Sequence, residues 1–63
     1  MSYKDNIKSL CSENNCKLKI GGVGLDYKTL YIETSTGYVF SVGGKTYREA
    51  FIDLFDNRNK LKK

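Results

Sequence analysis

Between Tyr38 and Phe55 the hydrophobic pattern changes period. Tyr38-Val39-Phe40-Ser41-Val42 alternates in twos, and beyond a Gly43-Gly44 break the residues Tyr47, Ala50, Phe51, Leu54 and Phe55 recur at helical spacing. The pattern predicts a strand running into an amphipathic helix from about Tyr47 to Asn59, with Leu61 continuing its core stripe. Thr46 and Glu49 have the spacing of a capping box, which marks the helix start. At about 100° per residue, Ile52 falls opposite the stripe, among Glu49, Asp53 and Asp56.

The chain before this unit reads as what packs against it. Ser2 and Asp5 suit the cap and first turn of a helix whose apolar stripe is Tyr3, Ile7, Leu10 and Cys11, and Asn14-Asn15 can supply the left-handed residue that ends it. Cys16-Lys17-Leu18-Lys19-Ile20 alternates as a strand with both lysines outward, and Gly21-Gly22-Val23-Gly24 reads as a turn or bulge. Lys28–Thr34 and Tyr38–Val42 are the second and third strands. A two-residue loop between them would pair Ile32 with Ser41 and mix the faces. The three-residue loop Ser35-Thr36-Gly37 pairs Ile32 with Phe40 and Leu30 with Val42, keeping all four on one side. It also puts Gly37 where a positive φ is wanted. The expected fold is therefore α+β, a single small domain spanning residues 1–63 in the order α-β-β-β-α, with a three-stranded antiparallel sheet and both helices on one face.

That order is similar, in topology and length, to double-stranded-RNA-binding domains. The family grips phosphates with a lysine cluster at the start of its second helix, whereas here only Lys45 and Arg48 are basic and Glu49 follows. The resemblance implies an arrangement of elements and carries no functional residue across.

At 63 residues such a domain buries only about 60% of its unfolded-chain surface and has no second lobe to form a cleft. With no histidine, no paired nucleophile and base, and two cysteines, the composition points away from catalysis, a metal site or a cofactor. Gly43-Gly44-Lys45-Thr46 sits where a phosphate-binding loop would, but Val39 occupies the position of the required first glycine. Cys11 and Cys16 read as reduced thiols. The opening is polar and no apolar run approaches a membrane span, so a cytoplasmic location without membrane contact is expected.

The net charge of +4 is unevenly placed. Residues 1–28 hold five lysines against three acids, residues 29–57 hold Lys45 and Arg48 against four acids, and the tail 58–63 contributes Arg58, Lys60, Lys62 and Lys63 alone. Two function classes follow. The leading expectation is a non-catalytic regulatory protein, an inhibitor or adaptor that occludes a partner protein's surface through Glu49, Ile52, Asp53 and Asp56. Nine lysines against two arginines suggest an AT-rich coding sequence, of a kind common in low-GC bacteria and their phages, so the inhibitor or adaptor is expected to be of phage or mobile-element type. The alternative is nucleic-acid binding through the basic tail, assisted by Lys17, Lys19 and Tyr31 on the wet sheet face or by Lys45 and Arg48. An uncovered sheet edge would also admit a homodimer.

Overall fold

The computed structural model describes residues 2–24 and 27–63. The elements are α1 (Tyr3–Glu13), β1 (Lys17–Gly24), β2 (Tyr27–Glu33), β3 (Val39–Gly44), α2 (Tyr47–Asp56) and a 3₁₀ helix, Arg58–Lys62. Local chemistry accounts for their ends. The Asp5 N–H donates to Ser2 Oγ at 3.2 Å, capping α1. At its other end Asn15 takes φ 57°, the Cys16 N–H reaches the Cys11 carbonyl at 2.9 Å and the Asn15 N–H reaches the Ser12 carbonyl at 3.1 Å. These two bonds form a Schellman motif, whose customary apolar contact joins the positions held here by Cys11 and Cys16.

The sheet has the order β1-β2-β3 and is antiparallel throughout. Ile32 faces Phe40 and Leu30 faces Val42, the register that the three-residue loop requires. Gly37 has φ +91°, and the Thr34 N–H closes the loop on the Tyr38 carbonyl at 2.8 Å. On β1 the strand continues past Ile20. Between the pairs Gly21 with Thr29 and Gly24 with Tyr27, two β1 residues oppose one β2 residue, a bulge carried by the glycine run. The Gly43-Gly44 pair is likewise inside β3 rather than a break. Gly44 is required by close approach, since a Cβ there would come within 2.5 Å of Glu49 Cβ and 2.9 Å of the Ala50 nitrogen.

Both helices cover the same face of the sheet. Their core joins Ile7 and Cys11 of α1, Leu30, Ile32, Phe40 and Val42 of the sheet, Ala50 and Leu54 of α2, and Leu61. The helices lie side by side with their N-terminal halves together, the Tyr3 and Phe51 ring centroids being 5.9 Å apart.

Three expectations about the second helix need correction. It stops at Asp56, not Asn59, because Asn57 turns back on it: the Asn57 N–H meets the Asp53 and Leu54 carbonyls, and its Nδ2 donates to the Asp53 carbonyl at 2.8 Å. Phe55 is not in the core stripe. The buried arc is centred between Ala50 and Leu54, and Phe55 lies about 100° beyond Leu54, leaving it 46% exposed. Leu61, on the 3₁₀ helix, takes the buried place instead. Third, Asp53 is not on a solvated face. Its carboxylate accepts from the Gly43 N–H at 3.0 Å and from Asn57 Nδ2 at 3.2 Å, tying α2 to β3.

Candidate functional site

Two surfaces remain for function: the outer side of the helices and the sheet face they leave open. On α2, helical geometry sorts the side chains into three strips. The strip nearest β3 holds Glu49 and Asp53, and both are engaged locally. Thr46 Oγ1 accepts from the Glu49 N–H at 3.2 Å, while Glu49 Oε2 accepts from the Lys45 N–H at 2.9 Å. Of the acids expected around Ile52, these two therefore secure the helix start and its contact with the sheet. Asp56 is left beside Ile52 on the outer strip, where both are exposed. Ile52 is 47% exposed, on the side the periodicity assigned to it.

The third strip, toward α1, holds the feature that sequence reading missed. Phe51 and Phe55 stand one turn apart with centroids separated by 6.1 Å, and Tyr3 of α1 extends the line from the Phe51 end. Ile52, three residues before Phe55, adjoins it on the helix surface. Tyr3, Phe55 and Ile52 are exposed and Phe51 half-buried, so an apolar line crosses from one helix to the other. Asn6, Ser9, Leu10 and Glu13 complete a shallow groove of about 220 Å³ along the Phe51 and Phe55 rings. Arg58 stacks over the Phe55 ring at 4.4 Å from its centroid and donates from Nη1 to the Phe55 carbonyl at 2.9 Å. The available signal was that Tyr3 and Phe55 each sit at the margin of their stripe.

The basic candidates do not form one surface. Lys45 and Arg48 are at the start of α2, whereas the C-terminal segment caps the opposite end of the core, beside the β2–β3 loop. That segment is folded onto the domain. Leu61 is 2% exposed and its carbonyl accepts from Cys16 Sγ at 3.5 Å, and Thr36 Oγ1 donates to the Lys63 carbonyl. Its cations rest on rings, Lys60 5.8 Å from the Phe40 centroid and Lys63 5.6 Å from that of Tyr38. Lys62 is exposed. Lys17 and Lys19 project from the other side of the sheet, paired across strands with Glu33 and Tyr31.

Both cysteines are free. Burial, followed by the nearby Cys16, pushes the Cys11 thiol up to about 11, and burial also raises Cys16. Neither is thereby primed as a nucleophile. Among the described residues no group of three or more His, Cys, Asp or Glu is placed to hold a metal ion, and no helix is long and apolar enough to cross a membrane. Compared with known protein families, curated proteins and solved structures, the chain finds no match.

Proposed function

We propose that this chain is a non-catalytic binding protein that occludes a partner protein's surface with its helical face, acting as an inhibitor or adaptor. The observation that supports this reading is the exposed apolar line Tyr3-Phe51-Phe55-Ile52, with Asp56 and Arg58 at its margin. Isolated surface apolar residues are ordinary, but a contiguous line rimmed by polar groups is how interaction sites are marked. A standard interface takes about 800 Å² from each partner. Set against a total surface of 4377 Å², that is roughly a fifth, which the outer faces of two short helices can supply. The partner-contact set thus keeps Ile52 and Asp56 as direct contacts, adds Phe55 and Tyr3, and gives Glu49 and Asp53 the task of holding the helix in place. The cytoplasmic setting and the phage- or mobile-element character rest on composition alone. Homodimerisation through a sheet edge is the lesser reading: β1 presents Lys17, Lys19 and a bulge, and on β3 the Gly43 N–H is occupied by Asp53.

The test is affinity purification from the native host with wild type and Ile52→Lys. The substitution faces solvent and should change stability by no more than about 0.5 kcal/mol. Anchors in such a line concentrate the binding energy, at about 2 kcal/mol or more each, so a protein retained by wild type should be lost from the variant while the melting temperature stays put. Full retention would show the helical face to be plain surface, and co-purifying nucleic acid in place of protein would overturn the reading.

A further inference from the structure

Odd-numbered residues of β2 point away from the helices, and Tyr27 at the head of the strand shares that parity with Tyr31. The second ring lay outside the sequence reading, which began this strand at Lys28. Tyr27 is 53% and Tyr31 46% exposed. Each ring lies against a glycine of a neighbouring strand. A Cβ on Gly21 would come within 2.7 Å of the Tyr31 ring, and one on Gly43 within 2.9 Å of the Tyr27 ring. Any larger residue at either position would push its ring away, so glycine lets both lean along the sheet. Thr29 separates them on β2, Ser41 stands beside Tyr31 on β3, and Lys17 and Lys19 border the face on β1.

We infer that the open face of the sheet is a platform for single-stranded nucleic acid, with bases stacking on Tyr31 and Tyr27 and phosphates meeting Lys17 and Lys19. Two exposed rings with ammonium groups flanking the Tyr31 end suit a ligand that combines flat bases with negative charge, and stacking on aromatics beside a basic border is how sequence-tolerant single-strand binding works. A protein partner would instead favour an apolar patch with few lysines. The strand form follows from spacing. Both rings lean to the level of Thr29 but on opposite flanks, Tyr31 over Gly21 of β1 and Tyr27 over Gly43 of β3, two interstrand spacings or roughly 10 Å apart; that is far more than the ~3.4 Å between stacked bases in a duplex, so a strand with splayed bases is what can use both. The lysine–phosphate contacts make the binding salt-sensitive, and Glu33, opposite Lys17, offsets part of the charge. DNA and RNA share this chemistry. The surface is separate from the helical face, and the inference does not depend on the proposed partner protein.

The test uses the purified full chain with labelled oligothymidylate and oligouridylate in fluorescence anisotropy at low salt. Tyr27→Leu and Tyr31→Leu keep an apolar cover over the glycines but lose the ring. Each should weaken binding about 5- to 150-fold, the equivalent of one lost base stack, while the Tyr→Phe counterparts bind as wild type. Lys17→Gln and Lys19→Gln should each reduce the slope of log affinity against log salt by about 0.7, and Lys62→Gln should leave affinity unchanged. Amide shifts on titrating wild type should concentrate at Thr29, Tyr31 and Ser41, a readout independent of how any variant folds. The stronger of the two oligonucleotides identifies the sugar preferred. Absence of binding at low salt, equal binding of a duplex or of polyglutamate, leucine variants that bind as wild type, or shifts centred on the helices would each overturn the inference.

Discussion

Leu61→Ala discriminates sharply between a solvated basic tail and a C-terminal segment that closes the core. The side chain is 2% exposed among the buried residues of both helices and the sheet. Truncating such a leucine costs about 2–5 kcal/mol, from lost apolar transfer and the cavity left behind. At about 0.05–0.15 kcal/mol per residue, a chain of this length has only about 3–9 kcal/mol in total, so the variant should lose a large part of its stability. Each kcal/mol lowers the melting temperature of a domain this size by about 4–8 °C. Urea unfolding followed by circular dichroism measures the loss. The control is Lys62→Gln with Lys63→Gln, which removes two charges and leaves Leu61 in place; it should stay within about 0.5 kcal/mol of wild type. A Leu61→Ala loss below that figure would refute the docking, because the segment would then be the solvated end that its charge suggests. Equal losses from both variants would show that the terminal cations, Lys63 over the Tyr38 ring among them, hold the segment as much as the leucine does.

Two further outcomes follow from the core. Phe40→Ala should cost about 3–5 kcal/mol and Val39→Ala far less, since Phe40 is 8% and Val39 61% exposed on opposite faces of one strand; equal losses in urea unfolding would mean the faces are reversed. For Cys11, whose thiol rises from 9.0 to about 11 on folding, the unfolded chain gives up its proton first as pH rises. The stabilising contribution is therefore complete below pH 9 and declines between 9 and 11, by about 2–3 kcal/mol in all. The stability difference between wild type and Cys11→Ala should shrink over that window, and a constant difference would show the thiol to be solvated.

The fold was legible because its signals are local and mutually consistent. Ser2 and Thr46 accept the capping bonds that their positions implied, Asn15 adopts the left-handed turn, and one register alone kept Leu30, Ile32, Phe40 and Val42 together. The misreadings about α2 share a cause. Periodicity extends a helix until something stops it, and Asn57 does so through side-chain bonds to Asp53 that no pattern of apolar residues encodes. Once α2 ends, Leu61 is no longer a continuation of its stripe and reaches the core from a separate turn. Asp53 likewise looked like a surface acid, because its partner is a backbone N–H on a strand edge ten residues earlier.

The same distinction governs the candidate sites. Charge is the easiest property to read from a sequence, and it drew attention to the acids around Ile52 and to the C-terminal cations. In the folded chain much of that charge is already engaged: Glu49 and Asp53 hold backbone donors, and Arg58, Lys60 and Lys63 lie over rings. Besides Lys17 and Lys19 on the open sheet face, what is left for a ligand is exposed apolar and aromatic surface, which periodicity tends to assign to the core. Phe55 and Tyr3 emerge on the helices because two adjoining helices bury only the part of each stripe that faces the sheet, and Tyr27 emerges on the open face because β2 begins with it and it shares the parity of Tyr31. These surfaces lie on opposite sides of a three-stranded sheet. Under the two proposals, a partner on one side leaves the other accessible, so Ile52→Lys should spare oligonucleotide binding and Tyr31→Leu should spare the protein contact. Loss of both from either folded variant would mean a single shared surface and a different site.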